Sequence, residues 1–149
     1  FLRTSGIGDC DDGTVLLASL LEAVGIRTKL VDVGNSVFVM FDSRLTEQDI
    51  ETLKISSGLF IKDNGRLWVP VEVTHYGKSF MDAWQAGINK FSSDALQDTL
   101  KLVDVHAAWD TYQRMHPSTK PTPIEPPPAE EIAMRVYQNL IELEELRED

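Results

Sequence analysis

One stretch constrains this chain more than any other: Gly8-Asp9-Cys10-Asp11-Asp12, leading into Thr14-Val15-Leu16-Leu17-Ala18-Ser19-Leu20-Leu21-Glu22-Ala23-Val24-Gly25. It puts the only cysteine at the first turn of a helix. From Val15 to Val24 the segment is apolar on nearly every side, which predicts a helix buried in a domain core rather than a surface amphipath. Asp9, Asp11 and Asp12 are residues that cap an N-terminus, and Gly25 suits the left-handed position that ends a helix. A thiol at such an N-terminus meets unpaired backbone N–H groups and the positive end of the helix dipole, which favour a thiolate. Cys10 is therefore a candidate nucleophile, although three neighbouring aspartates oppose that charge. The alternative is that a lone cysteine is a small buried hydrophobe. What speaks for the nucleophile is its place between a glycine turn and a helix start.

Composition narrows the partners. With 149 residues, 42% of them hydrophobic and 26% charged, the chain has the make-up of one globular domain of ordinary size. The net charge of −10, with basic residues scattered rather than clustered, argues against nucleic acid as a partner. A single cysteine excludes an internal disulfide. No apolar run approaches the length of a membrane span, and neither an initiator methionine nor a signal peptide is present. Because the sequence opens at Phe1-Leu2-Arg3-Thr4 as though inside an element, the expectation is an N-terminally truncated fragment.

Read in order, Phe1 to Thr4 suits the end of a helix and Ser5-Gly6-Ile7-Gly8 a turn. After the cysteine helix, Arg27 to Val33 alternates in part and predicts a strand, and Gly34-Asn35 is a turn signal. Val37 to Phe41 is a continuous apolar run rich in β-branched and aromatic residues, hence a central strand buried on both faces. Thr46 to Lys54 opens on a threonine cap followed by Glu47, Gln48 and Asp49, the start of a short surface helix. Asn64-Gly65 between Leu59–Lys62 and Leu67–Thr74 is the strongest short-range hairpin signal. Pro70 belongs where its missing N–H is not needed in the ladder. Ser79 to Phe91 predicts a helix with Phe80, Ala83, Trp84 and Ile88 on one face, Lys101 to Val105 a last short strand, and His106 to Met115 a short helix. Residues 117–128 hold six of the seven prolines and form a semi-rigid linker. Ala129 to Asp149 is a helix with Ile132, Val136, Leu140 and Leu143 on one stripe, which calls for a partner surface. Trp68, Trp84 and Trp109 fall in strand or helix patterns and read as core. The element order is α+β, with a domain over 1–116, a linker and a C-terminal helix.

The chain resembles the transglutaminase-like superfamily, whose fold is shared with papain-type cysteine peptidases. The resemblance rests on Gly8-Asp9-Cys10, on Leu20-Leu21-Glu22-Ala23-Val24-Gly25-Ile26, on the strand that follows, and on Trp68-Val69-Pro70-Val71-Glu72-Val73-Thr74. It covers roughly residues 5 to 75. The family's His-x-Trp strand corresponds to Ser36-Val37-Phe38, so Ser36 stands in the histidine slot and Phe38 in the tryptophan slot, while Glu72 takes the orienting aspartate's place. More weakly, the later segments resemble bacterial transglutaminase-like proteins that run on into tetratricopeptide-type helical repeats. That resemblance implies a bacterial protein, with the cell envelope or periplasm favoured over the cytoplasm, and a helical-repeat partner for 129–149.

The missing histidine governs what the resemblance can imply. In a Cys-His-carboxylate site the histidine takes the thiol proton, holds the thiolate as an ion pair and protonates the leaving amine. Serine has no suitable charged form for any of these steps. Loss of a general base costs a factor of about 10² to 10⁴. His75 follows Thr74 and, by strand alternation, faces away from Glu72, whereas His106 and His116 read as surface or capping residues. Glu72 reads either as the orienting carboxylate or as a solvent-facing strand residue. No metal site or cofactor is expected, since the histidines lack paired spacing and there is no second cysteine. Two readings remain. One is a cysteine hydrolase or acyltransferase acting on peptide or amide bonds of a peptide or protein substrate, with Cys10 as nucleophile, Glu72 as orienting carboxylate and Ser36 in the lost base position. The other is a non-catalytic module that binds peptide or cell-wall material or scaffolds helical repeats. Ser36 is either a natural loss or an engineered replacement.

Overall fold

The computed structural model describes residues 9–75, 77–94, 100–113 and 125–145. The expected turn before Asp9, Gly8 of the cysteine motif, His116 and most of the proline linker lie outside them. Within them the chain is α+β. Helix α1 (Cys10–Ala23) leads into strands β1 (Thr28–Asp32) and β2 (Val37–Thr46), then α2 (Glu47–Leu53), β3 (Ile61–Asp63) and β4 (Arg66–Val71). Helix α3 (Phe80–Asp94), β5 (Lys101–Asp104), α4 (Val105–Thr111) and α5 (Ala129–Glu144) complete it. The five strands form one antiparallel sheet in the order β3-β4-β2-β1-β5.

Local chemistry accounts for most boundaries. The Asp9 carboxylate accepts the Asp11 and Asp12 backbone N–H groups, and Gly25 at φ 79° closes the helix as Ile26 N–H donates to Leu21 O. Asp49 accepts from both the Thr46 backbone N–H and its hydroxyl at the start of α2. Asn64 and Gly65, at φ 50° and 74°, make the tight turn joining β3 to β4. Pro70 is fully buried opposite Met40, beyond Trp68, where the pairing with β3 ends.

Alternation along the central strands separates two apolar layers. Val39, Leu67, Val69 and Val71 pack with Ala18 of α1 and with Ala83 and Trp84 of α3. Phe38, Met40 and Trp68 form the other layer with Val31, joined by Ile88 and Phe91 from the second half of α3. Helix α3 serves both because it lies close on β4: a Cβ on Gly87 would stand 2.7 Å from the Pro70 carbonyl carbon and oxygen.

Four expectations need correction. Helix α1 is not buried all round. Thr14 and Ala18 are buried, but Val15, Leu16, Leu20 and Val24 are exposed, because the sheet covers only one side of the helix. The strand expected to reach Thr74 stops at Val71, since the Glu72 N–H turns away to donate to Ala83 O and residues Val73–His75 form a 3-10 turn. Trp68 and Trp84 are core residues with their indole N–H groups on Asp63 O and Leu59 O, whereas Trp109 is exposed and stacked on His106. In α5 the stripe splits: Leu143 packs on the core, while Ile132, Val136 and Leu140 are exposed, and Asn139 is used for docking by accepting the Phe80 N–H.

Candidate functional site

The polar constellation of this molecule is built where β2 begins and β4 ends. Ser36 precedes β2 and continues the face of Phe38 and Met40; Glu72 follows β4 and continues the face of Trp68 and Pro70. Both therefore look toward the C-terminal half of α3. There Lys90 projects over the Phe38 ring, with its ammonium 5.7 Å from the ring centre. Its Nζ donates to Ser36 Oγ and to Glu72 Oε2, each at 2.6 Å. The other carboxylate oxygen, Oε1, accepts from the Thr74 hydroxyl at 3.0 Å and the Thr74 backbone N–H at 3.2 Å.

Glu72 is buried, which excludes the solvent-facing alternative. Burial alone pushes its carboxyl up, but the Lys90 hydrogen bond, the Thr74 N–H, the Lys90 charge and the Thr74 hydroxyl outweigh it and hold the group below the usual carboxylate range. The carboxylate is thus ionised, doubly anchored and committed to an ammonium.

Cys10 is half-buried at the start of α1, and its thiol hydrogen bond goes to its own neighbour, Asp11 Oδ1, at 3.4 Å. One turn further on, the Thr14 hydroxyl donates to Val37 O, and Gly13 lies so close to Val73 that a Cβ there would be 3.1 Å from its Cγ2. These contacts seat the helix on the Val39 and Val71 layer. The fold brings Ser36 and Glu72 together through Lys90. Among the described residues no hydrogen bond joins either of them to Cys10.

The histidines lie elsewhere. His106 pairs with Glu22 at 2.7 Å, at the opposite end of α1 from Cys10. His75 sits in the 3-10 turn; its backbone N–H donates to Glu72 O, but it is Thr74 that contacts the Glu72 side chain. Among the described residues no cluster of three or more histidine, cysteine or acidic side chains is arranged to hold a metal.

Lys90 was missed by a sequence reading that traced α3 only through its apolar face. The signal was nevertheless there. Ala83, Gly87 and Lys90 recur at i, i+4 and i+7, so a lysine shares the helix face that lies on β4. A cation at such a position requires a buried anion, and Glu72 was the one acid in the facing strand pattern.

Comparison with known proteins returned no matching family model, no matching curated protein and no matching solved structure.

Proposed function

We propose that this chain is a non-catalytic binding or scaffolding module, built on a transglutaminase-like core whose base has been replaced by a fixed ammonium. The observation that carries this reading is the position of Lys90, 2.6 Å from both Ser36 and Glu72. A cysteine hydrolase needs a carboxylate free to orient a general base and a base able to take and return a proton. Here the carboxylate is spent on Lys90, and the residue in the base slot is a hydroxyl that accepts a hydrogen bond from a cation.

A serine nucleophile activated by Lys90 is a further reading of the same atoms. It requires a neutral amine. Lys90 Nζ instead donates to Glu72 Oε2 and to Ser36 Oγ itself, so the hydrogen bonds run against that chemistry. The partner of such a module is a peptide or cell-wall segment, as the resemblance implies.

The test is acyl transfer from an activated ester. Native chain and Cys10→Ala are incubated with p-nitrophenyl acetate and analysed by intact mass. The expected outcome is the same slow surface acetylation in both. A stoichiometric adduct on native chain that Cys10→Ala lacks would overturn the reading in favour of the cysteine acyltransferase, and one abolished by Ser36→Ala in favour of the serine nucleophile.

A further inference from the structure

A groove of about 680 Å³ opens on the α1 side of the sheet, between α1, the 3-10 turn, the start of α3 and the inner face of α5. That volume falls in the range of sites for small ligands and short peptide segments. Its walls are apolar, with Leu16 and Leu20 on one side and Val73 and Phe80 on the other. Its acids are all engaged: Asp9 caps α1, Glu72 holds Lys90 and Thr74, and Glu131 lies 3.9 Å from Arg135.

Two groups in the groove are not engaged. Lys78 is exposed and has no ion-pair partner among the described residues, in a chain whose net charge is −10. His75, three residues earlier, is joined to it by the turn in which Lys78 N–H donates to His75 O. The Nδ1 of His75 is sealed from water without a hydrogen-bond partner, so Lys78, rather than that nitrogen, is the group a ligand in the groove would meet.

An apolar recess with an uncompensated cation in its lining fits a ligand with an apolar body and a terminal carboxylate. We infer that this groove binds the C-terminus of a peptide ending in a leucine-like residue, its side chain between Leu16, Leu20, Val73 and Phe80 and its carboxylate at Lys78. The inference rests on the binding-module reading for its choice of a peptide and gives that module a site next to the Glu72 end of the Ser36–Lys90–Glu72 contact. Acylation at Cys10 would overturn that reading without altering what the groove binds.

The test titrates the whole chain with N-acetyl-alanyl-leucine as the free acid, the same dipeptide as its amide, and decanoate, following backbone amide chemical shifts. The free acid is expected to shift Leu16, Leu20, Val73 and Lys78 and to bind about tenfold more tightly than the amide. Lys78→Gln should abolish that preference. Leu16→Lys with Leu20→Lys, both at exposed positions, should weaken acid and amide alike without unfolding the chain. Equal binding of acid and amide, tighter binding of decanoate than of the dipeptide, or the absence of any shift would each overturn the inference.

Discussion

Two buried glutamates in this molecule are held in almost the same way, and the difference between them is instructive. Glu22, near the end of α1, receives the backbone N–H and the hydroxyl of Thr28 on one oxygen, both at 2.7 Å, and His106 on the other. Glu72 receives the same two groups of Thr74 on one oxygen and Lys90 on the other. Burial pushes both carboxyls up, and in both the hydrogen bonds and the adjacent cation win, leaving each below the usual range. What differs is the cation. Lys90 has a side chain 27% exposed, whereas His106 is charged only when protonated and has a side chain 48% exposed. The Glu22 group is a helix-end tether, joining α1 to β1 and α4. The Glu72 group is an ion pair that ties the end of β4 to α3 and, through Lys90, to Ser36 before β2.

The comparison can be broken most severely at Lys90. Lys90→Met should lose about 3 kcal/mol in urea unfolding at pH 7, because it leaves a buried carboxylate without its cation. Adding Glu72→Leu should recover most of that loss, which distinguishes a stranded charge from lost packing. Lowering the pH should weaken both groups in the native chain. Their folded-state carboxyls lie below the unfolded ones, so their contribution is complete above about pH 4.3 and is lost as the pH falls through the folded values. Urea midpoints measured between pH 6 and pH 2.5 should fall most steeply below pH 4, and less steeply in Glu72→Gln.

Smaller effects sharpen the contrast. Thr28→Val and Thr74→Val each remove one hydroxyl donor from a buried carboxylate and should cost about 1.5 kcal/mol, equally at the two sites. Unequal values would show that the two tethers are less alike than their geometry. His106→Gln should lower stability in urea unfolding by about 0.5 kcal/mol, since the contact is half in solvent. Smallest of all, Val15→Lys or Val136→Lys should change stability by no more than about 0.5 kcal/mol, because both side chains already face water.

How much of this was legible in the sequence follows from which interactions are local. The caps of α1 and α2, the Asn64-Gly65 hairpin, the central strand from Val37 and the apolar face of α3 all depend on residues a few positions apart, and each appears where it was expected. The apolar run in α1 misled because a hydrophobic sequence does not say how many sides will be covered; one sheet layer lies against the helix and nothing among the described residues covers Val15 or Val24. The C-terminal stripe misled in the same way, with Asn139 rather than Ile132 or Val136 turned inward. In the candidate site, Ser36 and Glu72 were legible as positions on facing strand ends. Lys90 was legible only as a lysine on the Ala83–Gly87 face of α3; its partners were not, since it lies 18 residues beyond Glu72 and 54 beyond Ser36.

The sequence by itself determined the order of helices and strands, their capping and turn chemistry, and the presence of a thiol at a helix start. Only the tertiary structure decided that α3 would cross close over β4 at Gly87, and so deliver an ammonium to Ser36 and Glu72. The physical reason is that capping and pairing are written in neighbouring residues, whereas the partner of a buried charge is whichever side chain the packing of distant elements brings within reach.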